Sequence, residues 1–185
     1  LLEEHFDFVV KNPGIPYHNC MVEDAIKKGI PVYTEVEIAY HLLQGLIIGI
    51  TGSNGKTTTT TLASLMLKDS FPKQNVFAAG NIGIPLSQLA EQSTKEDIYV
   101  SELSSFQLMG IDQFKPKIAC IVNIFSAHLD YHGTREEYIK AKLQLTKNQT
   151  EEDYLVYNAD YPELITLIEG HTKATLVPFS RKNVL

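Results

Sequence analysis

The sequence predicts an α/β protein built on a mainly parallel sheet flanked by helices. Three observations predict it. Short apolar runs rich in β-branched residues alternate with helical patterns almost from end to end. Those runs lack the strict in–out alternation of a half-exposed strand, so they belong to a sheet covered on both faces. One of them, "LIIGI", passes through the glycine-rich turn "TGSNGKTT" straight into a helical pattern.

The candidate strands are Asp7 to Val10, Pro31 to Tyr33, Leu46 to Ile50, Asn75 to Ala79, Asp97 to Leu103, Ile118 to Asn123, Tyr154 to Tyr157 and Ala174 to Pro178. Between them lie "MVEDAIKKG", "EVEIAYHLL", "KTTTTTLASLMLKD" and "TREEYIKAKLQLTKN", each with helical spacing. A seam is expected at His41 to Gly45, dividing the chain into residues 1–44, the remnant of one domain, and residues 45–185, a second. No internal repeat is present, and the threonine run is the one low-complexity stretch.

Bulk properties narrow the function. With 185 residues, 44% hydrophobic and 21% charged, the chain is ordinary for a soluble globular protein. A net charge of −6 without a basic cluster argues against nucleic acid as the main partner. Cys20 and Cys120 fit no metal spacing, and both are expected to be buried, reduced thiols of a cytosolic protein. The longest apolar stretch, "GLIIGI", is too short to span a bilayer, so no membrane partner is expected. The chain opens on Leu1 rather than Met, without a charged-then-apolar leader, so its first residue is not expected to be the gene's first.

The loop "TGSNGKTT" lies where a phosphate-binding turn must lie. Glycines let the backbone approach an anion, and the following helix offers unpaired N–H groups and the positive end of its dipole. Lys56 would reach the β- and γ-phosphates of a nucleotide and the Thr57 hydroxyl would ligate Mg²⁺; a plain glycine turn with a solvated lysine is the alternative. The glycine of the longer, common phosphate loop is replaced here by Ile50, leaving the short form that begins at Gly52. That departure argues against an ordinary P-loop kinase or GTPase.

In an open parallel sheet, ligands gather at the carboxyl ends of the strands, and further segments put polar residues there. In "DIYVSELSSFQL", Glu102 continues the apolar face of Ile98 and Val100. A carboxylate in that place needs a cation, either Mg²⁺ on the nucleotide or a lysine from elsewhere. In "IFSAHLDYHGT", His128 and Asp130 follow a strand end. His128 is either a metal or substrate residue or a surface histidine, and His132 is expected to be ordinary. In "AGNIGIPL", Gly80 and Gly83 bracket Asn81 in a turn that could present donors to an anionic ligand or be purely structural, with Pro85 opening the next helix.

"TREEYIKAKLQLTKN" opens on a capping box, Thr134 with Glu137. At about 100° per residue, Ala141, Leu145 and Lys142 fall within about 60° of Tyr138, whereas Lys140 and Lys147 fall opposite. Lys142 therefore points into the apolar arc. It could snorkel, contact a phosphate, or carry a desolvated amine reactive enough to add CO₂ and become a metal-binding carbamate.

Taken together, "GITGSNGKTTTT", "AGNIGIP", "SELSSFQL", "NIFSAHLDYHG" and "YIKAKLQL" resemble the Mur ligases, in that order and at the expected separations, with "NPGIP" near the start. "ELSSFQL" and "GNIG" look most like the member of that family that joins D-glutamate to UDP-N-acetylmuramoyl-L-alanine. The resemblance implies an ATP-dependent, cytoplasmic amide ligase of peptidoglycan precursor synthesis. Its chemistry passes through an acyl phosphate, and the protein is expected to be a monomer. Carried over by motif, Gly52, Ser53, Asn54, Gly55, Lys56, Thr57 and Thr58 bind the nucleotide. Thr57 and Glu102 hold a first Mg²⁺, while His128 and a carbamylated Lys142 bind or support a second. Lys56, His128 and Lys142 form the catalytic set, and Gly80, Asn81, Ser104 and His128 meet the nucleotide-sugar substrate.

Such ligases have three domains. The front of the first and the whole third are expected to lie outside this sequence, which alone is expected to be inactive. The competing expectations are another ligase of the superfamily, such as a folylpolyglutamate synthetase, or a nucleotide-binding module without turnover.

Overall fold

The structure, a computed structural model, describes residues 5–125 and 129–182. Strands β1 (Val9–Val10) and β2 (Val32–Tyr33) form a small parallel pair. The main sheet contains β3 (Leu46–Thr51), β4 (Val76–Gly80), β5 (Ile98–Glu102), β6 (Ile118–Ile121), β7 (Tyr154–Asn158) and β8 (Thr175–Phe179). Its spatial order is β4-β5-β3-β6-β7-β8, and every pairing is parallel. All the expected strands are present, displaced by a residue or two at their ends. β6 stops at Ile121, short of the expected Asn123, because Asn123 turns to meet the loop after β3, where its carbonyl accepts the Ser53 N–H at 3.1 Å.

The helices are α1 (Cys20–Lys27), α2 (Glu35–Leu42), α3 (Lys56–Ser70), α4 (Leu86–Leu89), α5 (Ser105–Leu108), α6 (Leu129–His132), α7 (Arg135–Leu143) and α8 (Pro162–Ile168). Local chemistry starts several of them. The Asn19 side chain accepts the Met21 N–H at the head of α1, Thr34 precedes α2, and Pro162 opens α8 with its ring-fixed φ. Thr134 accepts the Glu137 N–H at 3.2 Å, the forward arm of the expected capping box. α7 ends sooner than its pattern suggested, tightening into a 3₁₀ turn at Gln144–Thr146. Among the described residues no helix is long and apolar enough to cross a membrane.

Register divides the side chains between two faces. Ile47, Tyr99, Leu103, Ala119, Ile121, Leu155 and Tyr157 face α2, α4, α5, α7 and α8 in the larger core. Ile50, Ile98, Val100 and Cys120 face Ala63 and Leu67 of α3 in a smaller one. The expectation that both cysteines are buried needs correction. Cys120 is buried in β6, but Cys20 is exposed, because it is the first residue of a short helix whose inward positions are Val22 and Ala25.

One buried carboxylate ties the front of the chain to the rest. Glu37, on α2, is 1% exposed, and its oxygens accept the backbone N–H groups of Asp112, Gln113 and Phe114 at 2.8, 2.8 and 3.0 Å. His41, one helical turn on, reaches Oε1 at 3.0 Å. Thr34, the residue before α2, fixes the start of the helix, since its hydroxyl donates to the Gln107 carbonyl at 2.7 Å. Replacing Glu37 by Ala takes the acceptor from three backbone donors, of which the Phe114 N–H is buried. The Glu37→Ala protein is expected to lose about 3 kcal/mol or more of stability, and Glu37→Gln, which keeps one acceptor oxygen, a smaller part. Urea unfolding checks both, and a loss within experimental error for Ala would show that water satisfies the turn.

Candidate active site

Because every strand of the sheet is parallel, the ends of β3, β4, β5 and β6 share one edge, and the chain reverses its progress across the sheet at β3. The glycine loop leaves β3 at this switch point. Gly55 stands at φ 78°, ψ 0° before the first turn of α3, a left-handed conformation that a residue with a Cβ resists. The fifteen-residue α3 then aims its N-terminal N–H groups back across the loop. Lys56 curls over the same loop, its Nζ donating to the Ser53 carbonyl at 3.2 Å.

Glu102 sits beneath. Only 2% exposed, it ends β5 on the face that α3 covers, and the Thr57 hydroxyl donates to its Oε2 at 2.7 Å. Its other oxygen accepts from Asn81 Nδ2, also at 2.7 Å. The turn after β4 is shaped for this contact. Gly80 has φ 95°, and a Cβ there would come within 2.4 Å of the Glu102 carbonyl oxygen, while the Asn81 N–H donates to that same oxygen at 2.8 Å. Asn81, Thr57 and Glu102 thus form one hydrogen-bonded unit.

Lys142 arrives from the opposite face of the sheet. It is 1% exposed, and its Nζ donates to the Gly52 carbonyl at 2.9 Å and to the Thr51 hydroxyl at 3.4 Å, 4.7 Å over the Tyr138 ring. Burial, aided by the nearby Lys56 charge and opposed by Glu102, pushes its ammonium down to about 7. The inward angle read from the helical spacing is the observed one, and the side chain does not snorkel. Tyr138, from the same helix, shares a 2.8 Å hydrogen bond with Ser53 Oγ, and its phenol is raised by burial.

Ser104 caps α5. Its Oγ accepts the Gln107 N–H at 3.2 Å while Gln107 Oε1 accepts the Ser104 N–H at 3.0 Å, a reciprocal pair that spacing did not flag. His132 is a packed residue, bonded to Ser105 Oγ at 2.9 Å and stacked on Phe106. His128 lies outside the described residues. A cleft of about 330 Å³ runs beside the site between Lys11, Asn12 and Pro13 on one side and Gly80, Pro85 and Gln107 on the other.

The arrangement can bind a polyphosphate at the helix start and a hard cation beneath it. Among the described residues no three His, Cys, Asp or Glu side chains cluster for a metal. One buried carboxylate beside a hydroxyl suits Mg²⁺, which keeps waters and takes phosphate oxygens for its remaining positions. Sequence reasoning missed Asn123 and Tyr138, both of which grip the loop. The asparagine belongs to the quoted run "NIFSAHLDYHG", yet nothing in its spacing marks it.

A family model described as the Mur ligase middle domain matches residues 50–184. The chain is 56% identical over 181 residues to the UDP-N-acetylmuramoylalanine–D-glutamate ligase of Latilactobacillus sakei, covering 98% of this chain and 40% of that protein. It is 55% identical over 185 residues to the ligase of the same name from Geobacillus kaustophilus, covering 100% of this chain and 40% of the relative. The chain therefore spans about 40% of the length of the curated relatives it matches. Among solved structures it is similar in fold to MurF ligase from Thermotoga maritima in complex with ADP, with a TM-score of 0.62 and 22% identity over 95% of this chain and 47% of that one. It is similar also to the UDP-N-acetylmuramate:L-alanyl-gamma-D-glutamyl-meso-diaminopimelate ligase from Neisseria meningitides, with a TM-score of 0.64 and 16% identity over 94% of this chain and 58% of that one.

The Lys142 environment makes stability depend on pH. Its folded value, about 7, lies below the ordinary lysine value, so between the two the unfolded chain binds more protons. The penalty of burying the ammonium is full below about pH 7 and is relieved as pH rises toward the ordinary value near 10.5. In CO₂-free buffer the wild-type protein is therefore expected to gain stability relative to Lys142→Met as pH rises from 7 to 10. Parallel unfolding curves for the two proteins across that range would refute the assignment.

Proposed function

Since this chain belongs to the Mur ligase family by its middle domain, we propose that it is the ATP-binding core of an enzyme that joins D-glutamate to UDP-N-acetylmuramoyl-L-alanine. The observation that carries this reading is the 2.7 Å contact between the Thr57 hydroxyl and the buried Glu102 carboxylate beneath the glycine loop. It supports a magnesium site directly under the place where the helix start would hold phosphates. The names of the Latilactobacillus and Geobacillus relatives support the choice of D-glutamate and of the acceptor. The ADP in the Thermotoga structure supports the nucleotide.

In this proposal the loop from Gly52 to Thr58 holds ATP, with Lys56 on the β- and γ-phosphates and Thr57 and Glu102 on a first Mg²⁺. The γ-phosphoryl group passes to the acceptor's carboxylate, leaving ADP and an acyl phosphate. The amine of D-glutamate attacks the acyl carbon and loses a proton, and phosphate departs as the amide forms. Bound Mg²⁺ would neutralise the phosphate oxygens through the transfer. Lys56 adds positive charge to the same oxygens.

Lys142, with its amine pushed down to about 7, is neutral often enough near neutrality to add CO₂. The carbamate so formed, with His128, would support a second Mg²⁺. Gly80, Asn81, Ser104 and His128 would meet the nucleotide-sugar, and the cleft between the Lys11–Pro13 stretch and Gly80 offers it room. We further propose a division into residues 1–44 and 45–185, which the separate β1–β2 pair supports. A cytoplasmic, monomeric setting is proposed too, in keeping with the free thiols of Cys20 and Cys120.

Phosphate release by the full-length protein tests the proposal, with ATP, Mg²⁺, the acceptor and one amino acid at a time. Release should require both UDP-N-acetylmuramoyl-L-alanine and D-glutamate, and Lys56→Ala should lower it about a hundredfold or more. Release with L-glutamate on a folate acceptor would instead favour a folylpolyglutamate-type ligase. The carbamate has its own readout. ¹³C-bicarbonate should yield a carbamate carbon resonance in the wild-type protein that Lys142→Arg lacks, and the same signal in both would remove Lys142 from that role.

A further inference from the structure

We propose that Asn123 is a positioning residue for the nucleotide loop, and that its carboxamide decides which loop amides remain for the phosphates. The inference rests on the nucleotide reading above. Asn123 leaves the end of β6 at 8% exposure, directly against the loop. Its Oδ1 accepts the N–H groups of both Ser53 and Asn54 at 3.0 Å, and its Nδ2 donates back to the Asn54 carbonyl at 3.1 Å. Its own carbonyl shares the Ser53 N–H at 3.1 Å. The loop backbone is seated on this strand exit. A Cβ on Gly52 would lie 3.2 Å from Val122 Cβ and 3.4 Å from the Asn123 nitrogen and oxygen.

The donor and acceptor pattern explains the residue type. At this point the loop offers two N–H donors and one carbonyl acceptor, and a carboxamide answers all of them at once. A carboxylate would satisfy the donors but meet the Asn54 carbonyl oxygen with a second acceptor and no proton between them, and would add negative charge beside the phosphates. An alanine would leave the Asn54 N–H without this acceptor and the Ser53 N–H with the Asn123 carbonyl alone. With Ser53 and Asn54 turned toward Asn123, their N–H groups are not the anion's donors. Those of Lys56, Thr57 and Thr58, in the first turn of α3, have no intrahelical acceptor and point out of the helix start. Tyr138 holds Ser53 from the other side by its 2.8 Å hydroxyl contact, and the Phe125 N–H donates to the same Ser53 Oγ at 2.8 Å. The loop is thus ordered before any nucleotide arrives, which lowers the entropic cost of binding.

The test compares the wild-type full-length protein with Asn123→Ala and Asn123→Asp by amide hydrogen exchange without nucleotide, by calorimetric titration with MgADP, and by steady-state kinetics. In Asn123→Ala, exchange at Ser53 and Asn54 should rise while β3 and α3 stay protected, and MgADP affinity should fall about 10- to 100-fold. KM for ATP should rise with KM for D-glutamate unchanged. Asn123→Asp should keep the two amides protected yet bind MgADP more weakly than wild type, because it adds negative charge beside the phosphates. The positioning role is overturned if Asn123→Ala exchanges and binds like wild type. It is overturned equally if exchange rises uniformly through β3 and α3, since that pattern marks a residue needed only for the fold. Failure of the wild-type protein to bind MgADP would instead overturn the nucleotide reading. The exchange pattern, which needs no nucleotide, would still decide whether the carboxamide orders the loop.

Discussion

Everything at the active edge depends on β3 being paired in parallel on both sides, with Ile50 opposite Glu102 on β5 and Cys120 on β6. That register sets Glu102 on the α3 face, level with the start of the helix, and leaves the Thr51 side chain on the α7 face. Side-chain direction alternates along a strand, so a slip of one residue would send the carboxylate to the wrong side of the sheet and separate it from Thr57. The buried apolar residues on both faces hold the register, and the polar site borrows its precision from them.

The site is consequently assembled from the two layers that lie on opposite faces of the sheet. From one side come Thr57 and Glu102, from the other Lys142 and Tyr138, and the glycine loop passes between them. The charges are interleaved in the same way, with Lys142 feeling Lys56 as a repulsion and Glu102 as an attraction while burial dominates both. A loop held from two sides can be shaped closely without being long, which suits the shortened form that begins at Gly52.

Much of this was legible in the sequence, and what was not shares a physical cause. Strand runs, the glycine turn and the inward angle of Lys142 are carried by periodicity, which survives projection onto one dimension. The strand face of Glu102 was legible for the same reason. Contacts between a side chain and a distant backbone leave no such trace. The grip of Asn123 on Ser53 and Asn54 joins residues about 70 apart, and Glu37 meets its turn across a similar gap. An asparagine at a strand exit looks like any loop asparagine until the facing loop is known. Cys20 was misjudged because cysteines are usually buried, whereas its place at the very start of α1 turns it outward. The short helices α5 and α6 span one turn each, too little for a period to register.

The Glu37 carboxylate also bears on how such a chain could change by descent. The acid and the turn it holds are 75 residues apart at the first contact, with the whole glycine loop lying between them in sequence. A recombination event with its crossover in the loop between α2 and β3 would draw the acid from one parent and the turn from the other. Viable exchanges at that junction are confined to parents that both carry an acid at the matching place. Two stretches remote in the gene are therefore obliged to travel as a linked pair.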